Sequence, residues 1–208
     1  DLAHVALIYG MVHIAFALAE AAFRGFDVFA RLIKSGEFDR MLLRPRSAAL
    51  QVMGQELQLM RIGRFTQGLF VLLWAVAALD VNWTVAKVAL LVGSVLSGMC
   101  IFGALMILQA TMAFWTTESL EIVNTVTYGG VETAQFPLSI YRPWFQRFFT
   151  FVIPLASINY LPAHAILSLP GNIPPIAAWA SPLAGVLFLV VALLLWRVGI
   201  RHYTSTGS

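Results

Sequence analysis

Charge is what this sequence has least of. Of its 208 residues only 11% are Asp, Glu, Lys or Arg, while 60% are hydrophobic; soluble domains carry about 25% charged residues. A water-soluble fold could not hide so much apolar surface, so that class is excluded. Cysteine is nearly missing as well. The single Cys100, set in an apolar run, provides neither a disulfide framework nor a thiolate cluster, and it says nothing about redox compartment. There is no His-Glu-x-x-His and no Gly-x-Ser-x-Gly, and the four His (His4, His13, His164 and His202) are scattered. The constellations that a metal-dependent or nucleophilic intramembrane enzyme needs are therefore missing. Nor is there a Gly-x-x-x-x-Gly-Lys-Ser/Thr loop with which to hold ATP.

What the chain does have is long apolar runs. About 20 apolar residues in a helix cross a hydrocarbon core roughly 30 Å thick. Such runs fall at residues 2–23, 57–79, 85–114 and 176–196, with a more polar one at 118–138. The expected fold class is all-α: a polytopic helical membrane protein forming one transmembrane domain over residues 1–208. The first run begins directly after Asp1 with no basic leader before it, which reads as a truncated start rather than a signal peptide. In the 85–114 run, Gly93, Ser97, Gly98 and Gly103 allow close helix approach, and so could form a face between subunits.

The net charge of +3 reflects topology rather than nucleic-acid binding. Arg24, Arg31, Lys34, Arg40, Arg44, Arg46, Arg61 and Arg64 make up most of the thirteen basic residues and gather in or beside one loop, residues 25–50. Short loops rich in Lys and Arg stay cytoplasmic. Arg197 and Arg201 put the C-terminus on the same side. Within the loop, Phe29, Leu32, Ile33, Phe38, Met41 and Leu42 are apolar points among charges, as in a short interfacial helix. Arg44-Pro45 should end that helix. Periodicity alone fits an ordinary amphipathic connector as well as a docking element. Residues 48–64 read as a polar-flanked helix merging into the second span.

Two polar features lie within the spans. His13 and Glu20, seven apart, share a helix face and could form a buried proton or cation site; the favoured reading places Glu20 near the cytoplasmic end, beside Arg24 and solvated. In the 118–138 run, Glu121, Asn124, Tyr128, Glu132 and Gln135 draw one polar stripe. Such a stripe suits a substrate route, or equally a set of interhelix hydrogen bonds. Beyond it, residues 139–169 mix aromatic and basic residues and are interrupted by Pro154 and Pro162. Two broken helices dipping into the outer leaflet fit this better than one straight span. Pro137, Trp144, Pro154 and Pro162 are the candidate outer gate. The alternative keeps 118–138 cytoplasmic and lets 148–169 span.

With these residues in view, the chain resembles the permease subunits of type-2 ABC exporters, and most closely the bacterial six-span branch known as ABC-type uncharacterised transport permeases. The likeness rests on Gly36-Glu37-Phe38-Asp39 with Leu42-Leu43-Arg44-Pro45, on Phe114-Trp115-Thr116, on Phe136-Pro137-Leu138 with Ile140-Tyr141-Arg142-Pro143-Trp144, and on Phe151-Val152-Ile153-Pro154 with Asn159-Tyr160-Leu161-Pro162-Ala163. The ending Arg201-His202-Tyr203-Thr204-Ser205-Thr206-Gly207 is similar to the family's tail. The likeness implies a six-span permease whose first span is missing here, seated in the bacterial inner membrane. It implies a second permease chain, identical or related, and a cytoplasmic ABC ATPase dimer that carries the ATP and Mg. The loop with Phe38, Asp39, Met41, Leu42, Arg44 and Arg46 would couple to that ATPase, with Met41 and Leu42 as apolar anchors. No metal or cofactor is expected on this chain. The cargo expected is an amphiphilic or cationic drug-like molecule, or a lipid. An ion-driven secondary transporter is the main rival. It would favour a charged pair near mid-membrane and inverted repeats, and no repeat is visible here.

Overall fold

The computed structural model describes residues 2–56, 62–115, 120–136, 140–169 and 173–204, with the backbone alone over 120–126. Among the described residues every regular element is helical. The chain opens with α1 (Leu2–Asp27), runs on through the single turn and a half of α2 (Phe29–Lys34), and reverses at Gly36. Gly36 has a φ of 69°, the left-handed region that a side chain resists. Two short helices follow, α3 (Glu37–Leu42) and α4 (Ala48–Met53). Next come α5 (Ile62–Ala78) and the long α6 (Val85–Met112), whose first turn is capped by the Thr84 hydroxyl accepting from the Lys87 N–H at 3.3 Å. After α7 (Leu120–Ala134) come α8 (Pro143–Arg147), a π turn over Phe148–Val152 and a 3-10 turn over Leu155–Ser157. The chain closes with α9 (Tyr160–Leu167), α10 (Pro175–Ala180) and α11 (Pro182–His202).

Three stretches are individually long and apolar enough to cross a membrane: Leu2–Lys34, Val85–Met112 and Pro182–His202. α5, with 17 residues, is a shorter apolar helix. α6 is the axis of the bundle. It packs against α1 on one side and α11 on the other, and α5 lies on the far side of α1. The outward face of α11 exposes Leu183, Leu187, Val190, Val191 and Leu194, and α5 exposes Phe70, Leu73 and Trp74. An apolar surface this continuous belongs in lipid. The molecule is an all-α, polytopic membrane protein.

Small residues let the central helices meet. Gly98 of α6 faces Ala15 of α1, Gly103 lies against the Phe23 ring, and Gly185 of α11 abuts the Ser97 backbone and hydroxyl. The Ser97 hydroxyl also accepts the Gly185 N–H at 3.2 Å, satisfying a donor in the first turn of α11. The small-residue face of α6, a candidate intersubunit surface in the sequence, is therefore largely taken up by α1 and α11 of the same chain.

Two further expectations are corrected. Residues 48–64 are not one helix: α4 ends at Met53, and Gly54 and Gln55 form a turn closed by Gly54 N–H to Leu50 O at 3.2 Å and Gln55 N–H to Val52 O at 3.1 Å. Pro162 does not interrupt a helix either. It sits in the first turn of α9, where its missing N–H has no intrahelical acceptor to lose. The break falls at Pro154, and the two arms, Pro143–Val152 and Leu155–Leu167, are bent by 78°.

Gly185→Val places methyl groups against the Ser97 backbone. We expect a loss of about 1–3 kcal/mol from the α6–α11 interface, read as a lowered thermal midpoint of the detergent-purified protein. Gly129→Ala, in open space, should leave the midpoint within a degree or two of wild type by the same reasoning about packing.

Candidate functional site

The basic end of the bundle is built around an aromatic cluster. Phe38, from α3, is fully buried; its ring stands edge-on to Phe29 at 4.8 Å between centroids and to Tyr203 at 5.1 Å. Phe29 in turn meets Trp196 at 4.8 Å and Phe114 at 5.2 Å, and Phe26 meets Trp196 at 5.1 Å. Edge-to-face pairs at such separations each stabilise by about 0.5–1.5 kcal/mol beyond their buried area. The cluster joins the loop helix α3 to α1, α2, the end of α6 and the end of α11. Tyr203, just past α11, completes it. Burial and then the nearby Asp39 carboxylate raise its phenol above the usual tyrosine range.

The surface in front of this cluster is a basic edge. Leu42 is 41% exposed and Leu43 86% exposed, and Arg44, Pro45 and Arg46 are exposed beside them. Gln51 of α4 fixes the turn: its amide donates to the Met41 carbonyl at 3.0 Å and the Arg46 carbonyl at 3.2 Å. Arg44, Arg46, Leu50, Gln51 and Gln55 line an open groove of about 830 Å³. Arg31 and Glu56 form an ion pair at 2.8 Å that ties α2 to the segment after α4. Of the six loop residues proposed from sequence, Leu42, Arg44 and Arg46 are thus presented outward. Phe38 and Met41 are buried and face inward, so the expectation of Met41 as an outward apolar anchor is corrected; the neighbouring Leu43 is the most exposed apolar side chain of the loop. Asp39 is half-buried beneath Tyr203.

One step deeper lies a cluster of charges. Glu20 is 1% exposed, and the Arg64 guanidinium donates to it at 2.6 Å while stacking over the Phe16 ring at 5.1 Å. Arg24 stands 4.0 Å from Glu20, is ion-paired to Asp27, and donates to the Tyr128 hydroxyl at 3.0 Å. The Gln109 amide reaches Asp27 at 3.2 Å. Among the described residues two cations face two carboxylates, and α1, α5, α6 and α7 are tied together. The pairing of Glu20 with His13 is corrected, since Arg64 and Arg24 stand against it instead; the other reading keeps its neighbour Arg24 but not its solvation, because Glu20 is buried. His13 stacks on Tyr9 at 3.8 Å and its ring lies 3.1 Å from the Tyr9 carbonyl.

Along α7 the stripe divides: Tyr128 turns to Arg24 and to the Phe16 ring, 5.8 Å between centroids, while Glu132 and Gln135 point away from this chain's own core. Thr127, Val131 and Ala134 are buried, whereas Tyr128 and Glu132 are exposed and Gln135 half-exposed. The side chains of Glu121 and Asn124 lie outside the described residues, as does Pro137. Toward the other end Trp144 is 66% exposed and Pro162 is buried. Asn159 is buried and donates to the Ala134 carbonyl, tying the end of α7 to the start of α9. Lys87 donates to the Ile166 carbonyl at 2.8 Å, pinning the other end of α9 to α6. Among the described residues no group of three His, Cys, Asp or Glu could hold a metal ion.

This arrangement is an all-helical membrane bundle with a basic, aromatic-backed loop at one end. Residues 1–207 match a family model described as ABC-2 family transporter protein. The chain belongs to the ABC-2 transporter family. No match was found among curated proteins or solved structures. As an ABC-2 permease the chain is the membrane transport subunit and not itself the ATPase; membership implies partnership with an ABC ATPase.

Sequence reasoning about this permease missed Gln51, Trp196 and Tyr203 as supports of the loop. Gln51 was visible only as a polar residue in an amphipathic stretch. Trp196 and Tyr203 are more than 150 positions from Phe38, and nothing local announces the contact.

Glu20→Gln or Arg64→Gln alone should each cost about 1–3 kcal/mol, because each leaves a desolvated partner behind; the fully buried limit of about 3–5 is not reached, since Arg64 is 38% exposed. The double substitution should cost less than the sum of the singles, measured as thermal midpoints in a double-mutant cycle. Additive losses would refute the pairing.

Proposed function

We propose that this permease is the moving wall of an ATP-driven exporter, gripped at Leu42, Leu43, Arg44 and Arg46 by a cytoplasmic ABC ATPase dimer that holds the ATP and Mg. The observation that carries this reading is the exposed, mixed apolar and basic edge held rigid from behind by the Phe38 cluster. A flexible loop would absorb a push. This one would pass it to α1, α6 and α11 through contacts that close-packed rings cannot yield without moving the helices. Leu43 offers the apolar contact, and the two arginines offer charge-assisted hydrogen bonds to acidic residues on the ATPase. Basic residues gathered at this end support a cytoplasmic placement, in the bacterial inner membrane.

Two permeases, identical or related, would enclose the path. The outward Glu132 and Gln135, with Glu121, Asn124 and Tyr128 of the same sequence stripe, would then line it, because a polar face of this kind is costly against lipid. A cationic or amphiphilic cargo suits Glu132 and the aromatic surroundings. The bent pair around Pro154, with Trp144 at its lip, would form the outer gate as re-entrant helices. An ion-driven transporter finds less support: among the described residues the buried charges Glu20, Arg24 and Asp27 are paired near the basic end.

Reversing both charges, Arg44→Glu with Arg46→Glu, should leave folding intact, since both side chains are exposed. It should abolish ATP-dependent transport and permease-stimulated ATP hydrolysis, with more than tenfold loss in each, as expected when charged contacts across an interface turn repulsive. Undiminished coupling in reconstituted vesicles would count against the docking edge.

A further inference from the structure

A second opening lies on the other side of α4. Phe23 of α1, Met53 of α4 and Leu189, Leu193, Trp196 and Arg197 of α11 line a cleft of about 400 Å³. The α11 wall is graded. Leu189, Leu193, Arg197 and Arg201 follow at intervals of four, so they lie along one slowly turning strip of the helix, apolar deeper in the bundle and cationic at its basic end. Arg197 and Arg201 are exposed, and neither has an ion-pair partner among the described residues. The other cations facing the bundle at this end, Arg24 and Arg64, are paired.

We infer that this cleft seats one phospholipid with an anionic headgroup, its phosphate on Arg197 and an acyl chain along Leu189 and Leu193. The apolar floor calls for a hydrocarbon chain, which a soluble phosphate lacks. The unpaired guanidinium at its mouth calls for an anion, and basic pockets between transmembrane helices on the cytoplasmic side are suited to such headgroups. Trp196 belongs to both the cleft wall and the aromatic cluster. The lipid would therefore stiffen the support of the basic loop, making its hold on the helices sensitive to the composition of the bilayer. The inference needs this end of α11 to lie at a membrane interface; it does not need the ATPase reading.

The test is native mass spectrometry of the full-length permease, purified with the subunits that accompany it and equilibrated with phosphatidylglycerol and phosphatidylcholine of matched chains. Wild type should retain phosphatidylglycerol preferentially. Arg197→Gln should lower that preference about fivefold, the scale of one basic residue at a charged membrane surface, and Arg197→Lys should keep most of it. Leu193→Trp, which fills the cleft without changing charge, should reduce retention of both lipids. Arg40→Gln, an exposed cation elsewhere at the same end, should change nothing, and millimolar inorganic phosphate should not displace the lipid. Equal retention of the two lipids, an unaltered preference in Arg197→Gln, full retention in Leu193→Trp, an effect of Arg40→Gln as large as that of Arg197→Gln, or displacement by phosphate would each overturn the assignment. The readout is a lipid count, so it stands or falls separately from transport and ATP hydrolysis.

Discussion

Phe38 is the contact on which the basic end depends. Its ring is fully buried and touches rings from α2 and the segment after α11, with Phe114 and Trp196 closing around it. A loop helix of six residues has no stability of its own in water. What fixes α3 is tertiary packing, and the same packing ties its position to the ends of three long helices. Gln51 then pins the turn beyond it, so that the exposed residues 42–46 project from a defined surface.

Behind that surface the charges obey the constraint of a low-dielectric interior. An isolated carboxylate at Glu20 could not be held there ionised, and Arg64 and Arg24 supply its compensation. Because Arg64 comes from α5 and the Tyr128 hydroxyl from α7, the cluster also decides which helices close the basic end. At the opposite end the links are neutral or backbone-directed: Asn159 to Ala134 and Lys87 to Ile166. α7 is thus tethered at its middle through Tyr128 and at its last residue through Ala134, while Glu132 and Gln135 stay outside the chain's own core.

Much of this was legible in the sequence where the signal was local. The 28-residue α6 follows from one uninterrupted apolar run, and the break at Pro154 from a residue that punctuates backbone, whereas the short helix read across Phe29 to Leu42 is split in two at Gly36. Direction within the loop was not legible. Phe38, Met41 and Leu42 look alike as apolar points among charges, and tertiary packing, with rings from α2, α11 and the segment after α6 closing on Phe38, decides that Phe38 and Met41 turn inward while Leu42 turns out. Nor was the partner of Glu20, because Arg64 lies on a different helix and the neighbouring Arg24 offered a simpler local explanation. Pro162 misled for a related reason: a proline in the first turn of a helix and one in its interior look identical until the start of the helix is known.

The central claim is that residues 42–46 form the outward face of a rigid support and meet the ATPase directly. The most direct test is a photo-crosslinking amino acid placed singly at positions 43, 38 and 144 in cells expressing the whole transporter. The account predicts a strong crosslink to the ATPase from position 43, and none from the buried position 38 or from 144 at the other end. A crosslink from 144, or silence at 43 with the ATPase present and the variant active, would contradict it.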